Sequence, residues 1–233
     1  MVTSTPIVLV PGVLCSARLF SAQVMALWPY GQVAVADHRR EADMATIAAG
    51  ILAQAPPRFA LAGLSMGGYI ALAMMRLAPE RVVKLALLDT NARSDTAEQM
   101  AGREQMIAKA QAGQLDEIVT SLLPRFLHKN RQNDETLIRV VRDMAAETGA
   151  EAFVHQQKAV KTRPDSRPLL KSIACPTLVL VGDGDTLTPP DLSQEMATAI
   201  PGAQLVVVPD CGHLSTIEKP DAVNAALVTW VAT

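Results

Sequence analysis

A surplus of basic charge is missing from this sequence: 21 Lys and Arg stand against 23 Asp and Glu, a net charge of -2 at pH 7. That balance offers nothing to hold a phosphate backbone, so nucleic acid is not an expected partner. Cysteine is scarce, with three widely spaced residues, Cys15, Cys175 and Cys211. An odd number so far apart makes no disulfide framework and suits a reducing compartment. Long apolar runs are absent. They extend for about six to nine residues, far short of a membrane span, so no membrane partner is expected. No basic segment precedes Ile7-Val8-Leu9-Val10. The N-terminus therefore reads as lacking a signal peptide, and a cytoplasmic location is expected. Glycine contributes only 13 of 233 residues, so the places where glycines cluster stand out.

What is present is core material. Apolar residues make up 49% of the chain and charged residues 19%, a globular composition at a length that fits one large domain or one domain with an insertion. Short β-branched or leucine-rich runs recur at residues 7–10, 32–36, 59–64, 82–88, 177–181 and 204–208. Each ends at a turn residue or in the elbow discussed below. Continuous apolar strands alternating with helices predict a six-stranded, all-parallel α/β sheet covered on both faces. Helices are predicted over residues 17–27, 43–53 and 66–77, from Pro189-Pro190 to Ile200, and from Pro220 to about Val231. Trp28 and Trp230, near helix ends, read as packing residues.

The rhythm breaks between Arg93 and Lys171. Leu115, Ile118, Val119, Leu122, Leu123 and Phe126 recur at helical spacing, as do Leu137, Val141 and Met144. Residues 93–171 are therefore expected to form a helical lid inserted between the fourth and fifth strands, with 1–92 and 172–233 as the core. The segment Arg163-Pro164-Asp165-Ser166-Arg167-Pro168 reads as a hinge back to the sheet. The insertion carries thirteen Lys and Arg against eleven Asp and Glu, which reads as a solvated helical surface.

The glycines cluster at Gly63-Leu64-Ser65-Met66-Gly67-Gly68, after a strand and before a helix. The pattern G-x-S-x-G is that of a nucleophile elbow. A chain turning sharply from strand to helix strains the serine, lifts its hydroxyl above the carboxyl end of the sheet and sets it at a helix N-terminus. Side chains at Gly63 and Gly67 would collide across such a turn. Ser65 is the candidate nucleophile, and it needs a base. Of four histidines, His128 and His155 fall among charges in the insertion and His38 in a loop; all three read as solvated or loop residues. His213 follows the last strand at the same edge of the sheet, behind a freeing Gly212, and is the candidate base. An anion must orient it. Asp185, in Gly182-Asp183-Gly184-Asp185 after the fifth strand, is the first candidate, with Asp183 and Asp89 as alternatives. An oxyanion hole is expected from the backbone amides of Met66 and Val13, with Leu14 as the alternative to Val13. Cys15 and Cys211 lie near these segments and read as small buried residues.

The order Ser65, Asp185, His213, each after a parallel strand, resembles the α/β-hydrolase superfamily, from Ile7 to Val231. Cys211-Gly212-His213-Leu214-Ser215-Thr216-Ile217-Glu218-Lys219-Pro220 looks like the family's histidine loop. The lid is similar to that of the family's carboxylesterases and enol-lactonases. Two features depart from the family: its first two strands are missing, and Pro11-Gly12 replaces the frequent His-Gly of the oxyanion loop. Serine at position 65 sets the chain apart from haloalkane dehalogenases and epoxide hydrolases of this fold, whose nucleophile is aspartate. The resemblance implies a serine hydrolase acting on a small soluble carboxylic ester or lactone, with no metal or organic cofactor. Carbon–carbon bond hydrolysis, acyl transfer and a slow or non-catalytic ligand-binding receptor are the alternatives.

Overall fold

The computed structural model of the protein describes residues 5–233; residues 1–4, where the leader reading begins, lie outside the described residues. Six strands, β1 (Ile7–Val10), β2 (Val33–Val35), β3 (Phe59–Leu64), β4 (Val82–Leu88), β5 (Thr177–Gly182) and β6 (Gln204–Val208), form one sheet in the order β2-β1-β3-β4-β5-β6. Every pair is parallel; Leu9 stands beside Val35 and Ala62, and Leu88 beside Leu180. This is the six-stranded, all-parallel α/β sheet expected from the sequence.

Among the described residues, ten α-helices accompany the sheet: α1 (Ser21–Leu27), α2 (Met44–Gln54), α3 (Met66–Leu77), α4 (Ala97–Gln111), α5 (Leu115–Phe126), α6 (Glu135–Lys161), α7 (Arg167–Leu170), α8 (Pro190–Ala199), α9 (Ser215–Glu218) and α10 (Pro220–Ala232). None of them is long and apolar enough to cross a membrane. Alternate strand residues feed the two faces, as the period of two requires. Ile7, Leu9, Ala62 and Leu88 pack with Leu27, Leu227 and Trp230 of the α1/α10 layer. Val8, Val10, Leu61 and Leu87 pack with Ile47, Ile70 and Met196 of the α2/α3/α8 layer. Each such leucine or isoleucine stabilises the fold by about 1.5–3 kcal/mol relative to exposure. Phe126, Val141 and Met144 from α5 and α6 join the first of these layers, so the inserted helices extend the core.

Three local expectations change. The first predicted helix is divided: Ser16 caps a 3-10 turn over Ala17–Phe20, and α1 begins at Ser21. Trp28 is 67% exposed and packs little, whereas Trp230 is buried. The segment 163–166 is anchored, because Arg163 is buried and the Ser166 amide donates to the Ala92 carbonyl at 2.7 Å.

The sheet order reverses around β1. The chain moves from β1 to β2 on one side, then crosses to β3 on the other. The loops after β1 and β3 therefore flank a crevice at the carboxyl edge, where α/β sheets place their ligands.

Candidate active site

Ser65 joins β3 to α3 with φ 56° and ψ -116°, a left-handed conformation that costs a non-glycine residue roughly 1–3 kcal/mol. Its surroundings hold it there. The Ser65 amide donates to the Leu88 carbonyl at 3.0 Å, and the Thr90 hydroxyl donates to the Ser65 carbonyl at 2.8 Å. The flanking glycines are required by close approach. A Cβ on Gly63 would lie 2.2 Å from the Gly67 carbonyl oxygen. One on Gly67 would lie 1.9 Å from the Val10 carbonyl oxygen, so this second clash is with β1 and not across the turn.

Asp185 and His213 meet. His213 Nδ1 lies 2.8 Å from Asp185 Oδ2, and both residues are buried. The other Asp185 oxygen accepts the amides of Leu187 and Thr188 at 2.8 and 3.0 Å, and the Thr188 hydroxyl donates to Oδ2 at 2.7 Å. These bonds fix the carboxylate behind the imidazole. Burial is the strongest influence on each group and opposes its charge, but the partners outweigh it. Asp185, through its charge and its hydrogen bond, holds the His213 pKa above its ordinary value. His213 and the Thr188 bonds hold Asp185 below its own.

The two alternative aspartates are engaged elsewhere. Asp183 accepts the Cys211 amide at 3.2 Å. Asp89, fully buried with φ 43°, accepts the Gly182 amide at 2.9 Å and is hydrogen-bonded to the Ser215 hydroxyl. Burial, reinforced by the nearby Asp185, raises the Asp89 pKa well above the carboxylate range.

The insertion secures the histidine loop. The amides of His213 and Leu214 both donate to the Phe126 carbonyl at the end of α5, and the Phe126 ring stacks on the imidazole at 6.1 Å. Glu218 accepts the Gly212 amide at 2.9 Å and the His128 amide at 2.8 Å. A Cβ on Gly212 would lie 2.4 Å from that His128 nitrogen. His128 is therefore buried where the sequence suggested solvent. His38 is buried as well, and burial lowers its pKa. Its Nδ1 lies 3.3 Å from Gln156 Nε2, and Gln156 Oε1 accepts the Leu14 amide at 3.0 Å.

That last bond separates the two oxyanion candidates. The Leu14 amide is occupied. Among the described residues, the amides of Val13 and Met66 donate to no protein acceptor. Val13, Ser65 and His213 line one cavity of about 340 Å³. The Ser65 hydroxyl makes no hydrogen bond among the described residues. Cys15 lines the same cavity, and burial pushes its thiol up to about 12. Cys211 is also buried, with its thiol raised by burial. No cluster of metal-ligating side chains occurs among the described residues.

Gln156, Phe126, Thr188 and the polar group Asp95–Arg103–Arg163, which also lines the cavity, were not anticipated from the sequence. Thr188 follows Asp185 closely enough to suggest a supporting turn. The others sit on inserted helices or beside them, where a single sequence gives no sign of which face turns inward.

The sequence profile of the Alpha/beta hydrolase family matches residues 7–226. An esterase from Thermogutta terrifontis has 31% identity and a TM-score of 0.89, covering 99% of this chain and 90% of its own. The enol-lactonase from Burkholderia xenovorans LB400 has 25% identity and a TM-score of 0.91, covering 99% and 92%. A Mycobacterium tuberculosis protein whose name is that of a non-heme bromoperoxidase, BpoC, is 32% identical over 190 residues, 76% of this chain and 69% of the relative.

Proposed function

The chain belongs to the alpha/beta hydrolase family, and from that premise we propose that it is a serine hydrolase that cleaves a small carboxylic ester or lactone through an acyl-enzyme. The observation that carries this reading is that Ser65 on its strained elbow, His213 bonded to Asp185, and Val13 line one cavity, with the uncommitted amides of Val13 and of Met66, the residue after the elbow serine, beside it. The esterase and enol-lactonase among its structural relatives support the substrate class.

Ser65 Oγ attacks the carbonyl carbon as His213 Nε2 takes its proton. Asp185 at Nδ1 selects the tautomer that leaves Nε2 free and stabilises the imidazolium. The developing oxyanion is received by the Val13 and Met66 amides, the second at the N-terminus of α3, where the helix dipole favours negative charge. His213 then protonates the leaving oxygen, and the carbon–oxygen bond breaks. Water enters, His213 removes its proton, and attack on the acyl-serine releases the acid and restores Ser65. The hydrogen bond between Ser65 Oγ and His213 Nε2 that this step needs is one that often tightens only when substrate binds. The inserted helices serve as a lid over this cavity.

Hydrolysis of p-nitrophenyl acetate and butyrate by the wild type and by Ser65→Ala tests the reading. The wild type is expected to turn over both esters, and Ser65→Ala to fall to background. Equal inertness of two folded proteins would overturn ester hydrolysis and turn attention to carbon–carbon cleavage, acyl transfer or ligand reception.

A further inference from the structure

The cavity that holds Ser65 also has a charged wall. Arg163 Nη1 donates to Asp95 Oδ1 at 2.7 Å and to the Val160 carbonyl at 2.9 Å. Arg103 is ion-paired to the same carboxylate and donates through Nη1 to Gln157 Oε1 at 2.9 Å. The Asp95 side chain is 1% exposed and that of Arg163 6%. Two guanidiniums thus share one carboxylate in a buried wall, and one positive charge is left without a counter-charge. Glu98 and Arg125, the other charged residues lining the cavity, are exposed and opposite in sign, so they do not change that count.

The surplus is accompanied by uncommitted donors. Both Arg163 bonds leave from Nη1. Its Nε and Nη2 make no hydrogen bond among the described residues, and Nε is sealed from solvent without a partner. Buried N–H groups without partners are rare in native proteins and ask for an explanation. The guanidinium lies 4.0 Å from the centre of the Tyr69 ring, which compensates part of the charge and fixes the plane of the fork. Tyr69 stands one turn after Ser65 on α3 and lines the same cavity.

We propose that Arg163, with Arg103, binds a carboxylate carried by the substrate, so that the preferred ester or lactone is an acidic one. Nη2, the Arg163 nitrogen that is neither bonded nor sealed among the described residues, can meet a carboxylate oxygen in a charge-assisted hydrogen bond. A single uncompensated charge matches one carboxylate better than a doubly charged phosphate. Asp95 holds the pair of arginines in place and limits the charge on offer. This inference rests on the ester-hydrolase reading above and narrows its substrate.

The test compares mono-p-nitrophenyl adipate with its methyl ester, which has the same chain without the charge. The wild type is expected to favour the acid by about 10–100-fold in kcat/KM, chiefly through KM, the range that one hydrogen bond to a charged group provides. Arg163→Gln is expected to remove most of that preference, and Arg163→Lys to keep only part of it, because one ammonium cannot hold Asp95 and the Val160 carbonyl, stack on Tyr69 and still meet the substrate as the guanidinium can. Asp95→Asn is expected to keep or enlarge it, whereas a purely structural cluster would respond alike to all three changes. A wild type that treats both esters equally, or favours the methyl ester, overturns the proposal. A binding measurement separates this failure from failure of the hydrolase reading and does not depend on the arginine variants folding. Monomethyl adipate should raise the melting temperature of the Ser65→Ala protein and dimethyl adipate should not. Equal shifts, or none, count against the carboxylate site even if no ester is turned over.

Discussion

At the carboxyl edge of the sheet, backbone sterics decide which residue stands where; in the helical insertion, side-chain contacts do. Ser65 occupies its position because only glycine fits at 63 and 67, where a Cβ would come within 2.2 Å of a carbonyl oxygen. Gln156, by contrast, reaches Leu14 from α6 through one side-chain bond across 142 residues of sequence. Both regions wall the same cavity. On the proposed function, the sheet edge supplies the groups that react, and the insertion supplies groups that orient and select. A protein built this way can change its substrate by altering the insertion while the strand ends stay fixed.

The comparison predicts different kinds of damage. On the sheet side, Asp185→Asn should leave the fold intact while kcat on p-nitrophenyl butyrate falls by about 10³–10⁴-fold, because the amide favours the wrong imidazole tautomer. A drop of less than tenfold would mean that another group orients His213. On the insertion side, Gln156→Ala should cost about 1–3 kcal/mol in thermal or urea unfolding, since it orphans the Leu14 amide. It should also lower kcat about tenfold with KM retained, because the Val13 amide beside it acts mainly in the transition state. Lost stability with unchanged kcat would reduce Gln156 to a packing residue.

The same contrast explains what was legible in the sequence. All six strands and their parallel order follow from apolar runs closed by turn residues, since a strand buried on both faces must be continuously apolar. That Asp185 and His213 meet, on the same edge as Ser65, could be anticipated because each of the three follows such a run, and a strand end fixes a residue's height above the sheet. The boundary between Val13 and Leu14 was not legible, since it depends on which amide a distant glutamine captures. His128 and His38 look like exposed or loop residues in the sequence because their burial is imposed by Glu218 and Gln156, from other parts of the chain. The basic character of the insertion was visible as a count. That Arg163 and Arg103 turn inward to share Asp95 was not, because helical periodicity marks apolar faces and passes over buried charge.

The smallest effect comes from the two buried aspartates beside His213, which titrate in opposite directions. Asp185 is held below its ordinary pKa, so its contribution to stability is present above the unfolded carboxylate value and lost as pH falls through the folded one. Asp89 is held well above its ordinary value, chiefly by burial. In the folded state it keeps a proton that the unfolded chain has already released, so it costs stability as pH rises above the unfolded value, about 1.4 kcal/mol for each unit of separation. An asparagine in place of Asp89 would preserve the bond geometry, its oxygen accepting the Gly182 amide and its nitrogen donating to the Ser215 hydroxyl. The melting temperature of Asp89→Asn relative to wild type should therefore climb between pH 4 and 8, while the deficit of Asp185→Asn should grow only as pH rises to the unfolded carboxylate value, about 4, and should widen no further above it. Because a protonated Asp89 lends His213 little charge, Asp89→Asn should leave the acid limb of kcat/KM almost in place. A flat stability difference, together with an acid limb displaced to lower pH, would show instead that Asp89 is ionised and shares with Asp185 the task of charging the histidine.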